Sequence, residues 1–518
     1  VLVVAGTATR LYKLNGIDFT WTEVSKGGGA YSGLPNADQW QFCQFNNLVF
    51  ATQIGTPLQV IDLTGPTAFA DAAGSPPQAR YVAVVGRFLV LTGISNAPYD
   101  VRWSGLNNVN SSTSWDNVTA QSNSQTLPDG GLVRGVAGGE TGLITQDGAL
   151  RRMTYAPGNP VIFQIDRISE EKGIFAPLSL TRSGDRIFFL GGDGLKMMTP
   201  GGYPTPIGKD RVDATLFADM DKNALQLCVG ASDPSATRWY LAYKSQAGQA
   251  GLFDKLLCYD WALDRFTPIA TSGEYLATLA RPGLTLENLD AIAPTPLNIL
   301  GAAATPGGSI YGAGKIRLTL DAFGNSNFTV AGQNTITVYD VAGTTEANGT
   351  WGAFAVVDPF HGPAQIDINT PFVNAYVSGG HIGGSLDAFP FSLDDISTSA
   401  LTQLSIFGSN HALGFFSGAN LEATVETAEQ AIDTEGHRVF VRGFRPITDS
   451  PSVFGSISTR SNLQAAATYS GETAVNAIGV CPQRRSARYA RAKMRIPAGT
   501  VWSVIRAVEP DFVREGSR

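Results

Sequence analysis

The residues of this 518-residue chain best suited to bind another molecule lie near its end, in the segment CPQRRSARYARAKMRIPAGTVW from Cys481. It carries Arg484, Arg485, Arg488, Arg491, Lys493 and Arg495. From Ala490 to Ile496 basic and apolar residues alternate, so an extended strand would put Arg491, Lys493 and Arg495 on one face and the apolar side chains on the other. The apolar face reads as core, and two kinds of partner stay open for the basic one. It pairs with acids on a neighbouring strand, for which Glu509, Asp511 and Glu515 are nearby, or it meets phosphate or an acidic surface on another subunit. The six cations are thus the candidate contacts with DNA or with a neighbouring subunit. From Pro482 onward there are nine Lys/Arg against three Asp/Glu, a net of +6; the whole chain carries −7, which leaves −13 for residues 1–481. An acidic body of this kind is not built to grip DNA over a broad surface.

Enzyme constellations are thin elsewhere. The sequence has no GxSxG nucleophile elbow, no HExxH and no GxxxxGK[ST] phosphate loop. His361, His381, His411 and His437 are dispersed and read as structural or surface residues. Asp219, Asp221 and Asn223 imitate the opening of a calcium loop, but Ala224 stands where the loop needs glycine and Gly230 where it needs glutamate. The glycine clusters at 27–29 and 191–192 read as turns between strands, since neither opens a helix within a βαβ unit. The acidic doublets Glu170-Glu171 and Asp394-Asp395 would point to opposite faces of a strand, which is a poor geometry for glycoside hydrolysis. Cys43, Cys228, Cys258 and Cys481 are far apart and form no CxxC pair, so they read as buried, reduced thiols. The expectation is a protein without catalytic residues, cofactor or metal.

The elements that would position any site are β-strands. A two-strand phrase recurs: RLYKLNGIDFTWTEV from Arg10, LLCYDWALDRFTPIA from Leu256, and looser versions from Gly148 and Asp193. Most copies follow a further strand such as GRFLVLTG, RIFFLGG or RWYLAYK. Hairpins too small to bury their own apolar faces stack around an axis as blades. Only 16% of residues are charged, while 58 glycines and 28 prolines punctuate short apolar runs, which favours strands and turns over helices. The helix candidates are short, Ala214 to Leu225 and Leu284 to Ala293. The Glu-rich LEATVETAEQAI from Leu421 fits either a strand or a short helix. No stretch is long and apolar enough to span a bilayer, and the opening residues lack the pattern of a signal peptide, so no stable membrane insertion is expected.

The fold expected is all-β: a propeller of about six or seven blades over residues 1–305, an inserted small β-barrel over 306–384, and completing blades with ring closure over 385–518. Closure should fall to the C-terminal residues or to both termini together. In the insertion, Gly343, Thr344, Thr345, Asn348, Gly349, Trp351, Asn374, Ala375, Tyr376, Gly379 and Gly380 resemble a small β-barrel module found in phage virion proteins. That module is related to the first catalytic-cysteine half-domain of ubiquitin-activating enzymes. The half-domain carries no active-site cysteine, and none occurs here between residues 259 and 480.

Segments from end to end, among them VAGTATRLYKLNG, WQFCQFNNLVFATQIGTPLQVIDL, VRWSGLNNVNSSTSWDN, GLITQDGALRRMTY and the closing RYARAKMRIPAGTVWSVIRAVEPDFVREGSR, resemble tail hub or nozzle proteins of short-tailed bacteriophages, also described as packaged-DNA-stabilising proteins. The resemblance implies a virion structural protein made in the host cytoplasm and built into the tail as a homohexameric ring. Its partners would be the adaptor or head–tail connector ring, tail fibres or spikes, and the genomic DNA that passes through the lumen. Its function would be to line and close the DNA channel and to open for ejection. The contrasting reading is a propeller enzyme or lectin acting on a cell-surface glycan, with Trp103, Trp115 and Trp351 as sugar platforms.

Overall fold

The computed structural model describes all residues except 1, 16–19, 28–29, 37, 66–67, 159–160, 171, 234–235, 281–296, 321–333, 357–364, 383–401, 417–418, 434–436 and 516–518. The chain divides into two compact units, Val1–Phe415 and Phe416–Arg518.

The first unit contains a β-propeller. Five four-stranded antiparallel sheets follow one another, with inner strands Gln41–Phe45, Ala79–Val85, Val133–Ala137, Ile174–Ser183 and Val229–Asp233. Three-stranded sheets flank them: Val4–Gly6, Leu11–Leu14 and Trp21–Glu23 at the start, and Tyr275–Ala280, Thr402–Phe407 and Leu413–Phe415 at the end. From the second blade to the seventh, inner strands of successive blades pack side by side. Trp21 of the first sheet meets Phe407 of the last with ring centroids 5.8 Å apart, which closes a ring of seven blades.

The recurring phrase has one meaning in this ring. Its copies at Leu11–Glu23, Ala149–Glu170, Gly194–Pro206 and Phe253–Gly273 are the outermost hairpins of four blades. The strands that precede them, such as Arg186–Gly191 and Arg238–Tyr243, are second strands. Second strands are nearly continuous buried runs, Phe88–Ile94 in every residue, because neighbouring blades cover both faces. Phe50, Leu58 and Val60 of the second blade pack against Val82, Leu89 and Leu91 of the third. Farther round, Phe188 stacks on Trp239 at 5.3 Å. Each such side chain stabilises the ring by about 1.5–3 kcal/mol when fully buried, and these contacts join one blade to the next.

The seventh blade is split. Its inner strand Tyr275–Ala280 pairs with Thr402–Phe407 over 120 residues later in the chain, and a closed barrel lies between them in sequence. The barrel comprises Leu297–Ala304, Lys315–Leu320, Asn334–Tyr339, Gly349–Val356, Gln365–Pro371 and His381–Ile382. Alternate residues Ile316, Leu318, Leu320, Ile366 and Ile368 fill it. The expected boundary at residue 306 is therefore corrected: Leu297–Ala304 has the composition of a blade strand, but it pairs with Lys315–Leu320 and His381–Ile382 and belongs to the barrel.

The expectation that 385–518 completes the propeller is corrected as well. Among the described residues of that span, only Thr402–Phe407 and Leu413–Phe415 join a blade. Beyond them, Val439–Thr448 pairs with Cys481–Ala487 and Ile505–Arg514, while Phe454–Arg460 pairs with Tyr489–Ile496. The two sheets share a core of Phe444, Val453, Cys481, Met494 and Ile496. These strands pair with one another, and none of them pairs with a described blade strand. The Glu-rich segment resolves as strand, with Ala423–Glu426 and Gln430–Ala431 both pairing with Tyr489–Ile496. Of the helix candidates, the first is a helix at Asp213–Asp219 followed by a 3-10 turn at Leu225–Leu227. The second lies outside the described residues. No described helix is long and apolar enough to cross a membrane.

Candidate functional surfaces

The basic strand Tyr489–Ile496 lies between Ala423–Glu426 and Phe454–Arg460. Met494 and Ile496 are buried, whereas Arg491, Lys493 and Arg495 lie half-buried on the opposite face. That face is occupied. Arg495 donates to Glu472 at 2.7 Å and to Glu422 at 3.1 Å, with its guanidinium 4.9 Å from the centre of the Phe454 ring. Glu426 stands opposite Lys493 in the register and lies 3.5 Å from its Nζ and 3.6 Å from Arg491. The hydrogen bond from Arg495 holds the Glu472 carboxyl below its usual range. A hydrogen bond from Tyr469, and then the Lys493 charge, does the same to Glu426. The cations are therefore neutralised within the unit, but by other acids than those nearest in sequence. Glu509 and Asp511 face Arg445 and Arg442 instead.

Arg484, Arg485 and Arg488 sit on and just past the neighbouring strand Cys481–Ala487, and all three are exposed. No ion pair joins them to any described residue. The six candidates thus separate into three paired cations and three open ones. The Glu422/Glu426 spacing, two acids on one face of a strand, was the signal that would have found the pairing.

In the propeller, residues at or just before the inner strands of five consecutive blades converge on a cavity of about 330 Å³. Four of its five charged residues are paired, while Lys222 lies 5.8 Å from the centre of the Phe217 ring. Arg80 donates to Asp38 at 2.9 Å and Arg134 to Asp147 at 2.7 Å. Burial pushes the Tyr81 phenol up to about 12. Sequence reasoning missed this site, because its residues are spread from Asp38 to Gln226 with no local pattern.

The remaining candidates are bound within the fold. Asp219 accepts from Lys255 at 2.7 Å and Asp221 from Lys244 at 2.9 Å, so the calcium-loop imitation is two separate ion pairs. His411 pairs with Glu274 and His437 with Asp433, His381 stacks on Tyr339, and His361 lies outside the described residues. Among the described residues no three His, Cys, Asp or Glu converge as metal ligands would. The four cysteines are free, and burial pushes Cys43 and Cys228 up to about 12 and Cys258 and Cys481 to about 11. Trp103 and Trp115 are buried, and Trp351 packs on the barrel core while donating to Ala347 O at 2.7 Å. Trp103 and Trp115 therefore offer no open ring face to a sugar.

The phrase WSGLNNVNSSTSWDN becomes a clasp bonded to itself and to blade backbone, with Asn110 Oδ1 accepting from Ala73 N. Asn108 Oδ1 accepts from Ser111 and Ser114, Ser104 Oγ accepts from Leu89 N, and Asp116 accepts from Val118 N and Thr119. The barrel's marked residues do likewise. Thr344 donates to Asn374 O, Asn348 bridges Val341 N and O, and Tyr376 donates to Ile299 O and Gly379 O. Gly343 has φ +89° and its missing Cβ would lie 2.2 Å from Ala375 O, so no side chain fits. Glu346 accepts from Asn374 N and Val373 N, which draws its carboxyl down to about 2.

No family model matches the chain, and no curated protein does. Among solved structures it is similar to the dihydro-heme d1 dehydrogenase NirN in complex with DHE, at 13% identity over 72% of this chain and 73% of that one, with a TM-score of 0.32. A likeness of this size carries no argument about function.

Proposed function

We propose that this chain is a structural subunit of the tail of a short-tailed phage, a non-enzymatic hub or nozzle protein that assembles as a ring of about six copies around the DNA path. The observation that best supports this reading is the clasp. The most specific phrase of the tail-protein resemblance, from Trp103 to Asn117, spends its side-chain hydrogen bonds on its own loop and on blade backbone at Leu89 and Ala73, as a wall element would. The barrel's marked residues follow the same rule. In this reading the acidic body lets DNA slide, because like charge does not hold phosphate. The open cations Arg484, Arg485 and Arg488 then supply a weak local grip on DNA or on an acidic neighbour.

Imaging of purified particles, with this chain located by a tag, tests the proposal. The expected result is a sixfold ring with an axial channel in the tail. A monomer absent from particles that binds or cleaves polysaccharide would overturn it.

A further inference from the structure

The cavity at the starts of the inner strands holds more hydrogen-bond donors than the fold occupies. Asp38 precedes Gln41–Phe45, Arg80 and Tyr81 open Ala79–Val85, Arg134 lies in Val133–Ala137, and Lys222 sits in the turn before Val229–Asp233. Val133 stands opposite Gln146 in the register, which brings Asp147, in the turn that follows, beside Arg134.

Both arginines are bound through one nitrogen only. Arg80 donates from Nε to the two oxygens of Asp38 at 2.9 and 3.1 Å, and Arg134 donates from Nε to Asp147 Oδ1 at 2.7 Å. Leu132 N donates to Asp147 Oδ2 at 3.0 Å, so every carboxylate oxygen of the pair already accepts. No described residue accepts from the Nη groups of either arginine, although this forked end carries most of the guanidinium's donors. Lys222 makes no ion pair with a described residue. Its neighbour Phe217 packs edge-on against Phe175 of the cavity wall, with ring centroids 5.9 Å apart, which keeps the ammonium beside the cavity. The Tyr81 phenol is raised first by burial and then feels Asp38, Arg134, Arg80 and Asp147, so these four charges surround one ring. Tyr81 stays protonated at neutral pH, and its O–H donates to no described residue.

Donors therefore outnumber acceptors. The cations Arg80, Arg134 and Lys222 against the carboxylates Asp38 and Asp147 leave a formal charge of +1. A group that only accepts, with a single negative charge, satisfies both counts, and a carboxylate matches the planar guanidinium fork. The rest of the wall is apolar, formed by Phe175, Pro177, Leu178 and Leu225, and a volume of about 330 Å³ exceeds what a bare ion fills.

We propose that this cavity binds a small organic monoanion, a carboxylate on a compact apolar body, held by the open ends of Arg80 and Arg134 together with Lys222. Asp38 and Asp147 are positioning residues, because each fixes one guanidinium through its Nε. A tail-wall role does not require such a ligand.

Calorimetric titration of the full chain with hydrocinnamate at low salt provides the test. Hydrocinnamyl alcohol, the same body without the charge, and phenyl phosphate, largely a dianion at neutral pH, are the comparisons. Hydrocinnamate is expected to bind with a Kd of about 1 mM or tighter. The alcohol should bind at least about tenfold more weakly, and phenyl phosphate no more tightly than hydrocinnamate. Lys222→Gln, which breaks no ion pair of the fold, and Arg134→Gln should each weaken hydrocinnamate by about tenfold. Should Arg134→Gln unfold, Lys222→Gln alone decides. The inference fails if hydrocinnamate does not bind at about 10 mM, if the alcohol binds as well, if phenyl phosphate binds more tightly, or if the folded variants bind as the parent does.

Discussion

Two neighbouring strands, Cys481–Ala487 and Tyr489–Ile496, take the same kind of residue to opposite ends. In the first and just past it, Arg484, Arg485 and Arg488 stay open to solvent; in the second, Arg491, Lys493 and Arg495 are tied to Glu422, Glu426 and Glu472. The difference is position in a sheet. Tyr489–Ile496 is central, and the strands on either side or their flanking turns deliver the acids. Cys481–Ala487 lies at the edge of its three-stranded sheet, where one flank has no neighbouring strand to supply a counter-charge. An alternating basic strand therefore says little about an external ligand until its neighbours are known.

The largest expected effect separates the two faces of the central strand. Met494→Ala removes a side chain that is 1% exposed and should cost about 2–5 kcal/mol, read as faster amide exchange across residues 489–496 of the full chain. Next, replacing Arg484, Arg485 and Arg488 with Gln should shift stability by no more than about 0.5 kcal/mol. It should also lower the salt slope of binding to double-stranded DNA by up to about 2.7, at about 0.9 per lost phosphate contact. The matched triple variant at Arg491, Lys493 and Arg495 should leave that slope nearly unchanged, and the reverse pattern would break the comparison. A smaller effect is expected from Arg495→Gln, which leaves Glu422 and Glu472 without their shared cation; faster exchange at residues 423–426 would reveal it.

The smallest effect concerns pH. Glu472 and Glu426 titrate below the ordinary glutamate value of 4.5 when folded. Their contribution is therefore complete above that value and is lost as pH falls through the depressed folded values. Exchange across 423–426 and 489–496 should be constant, after correction for intrinsic rates, from neutral pH to about 4.5 and should rise below it. In Arg495→Gln the acid-induced rise should be shallower, because Glu472 no longer has its main partner.

Much of the architecture was legible in local pattern. The hairpin phrase located the outer strands of four blades, since alternation and turn residues act over a few positions. The start of the barrel was not legible, because LNILGAAA suits a blade as well as a barrel and only its partners decide. The basic face of Tyr489–Ile496 was correctly placed, yet its partners were sought after it in the chain while Glu422, Glu426 and Glu472 precede it.

Taken alone, the amino-acid sequence determined that this chain makes short strands, where they turn, and which side chains share a face, because those properties depend on neighbours a few residues away. Only the tertiary structure decided which strands pair: that the ring closes between its first and seventh blades, that residues 416–518 form a unit of their own, and that three of six candidate cations are already neutralised. Pairing between distant strands is set by burial and backbone hydrogen bonding across the whole fold, and no window of sequence contains both partners.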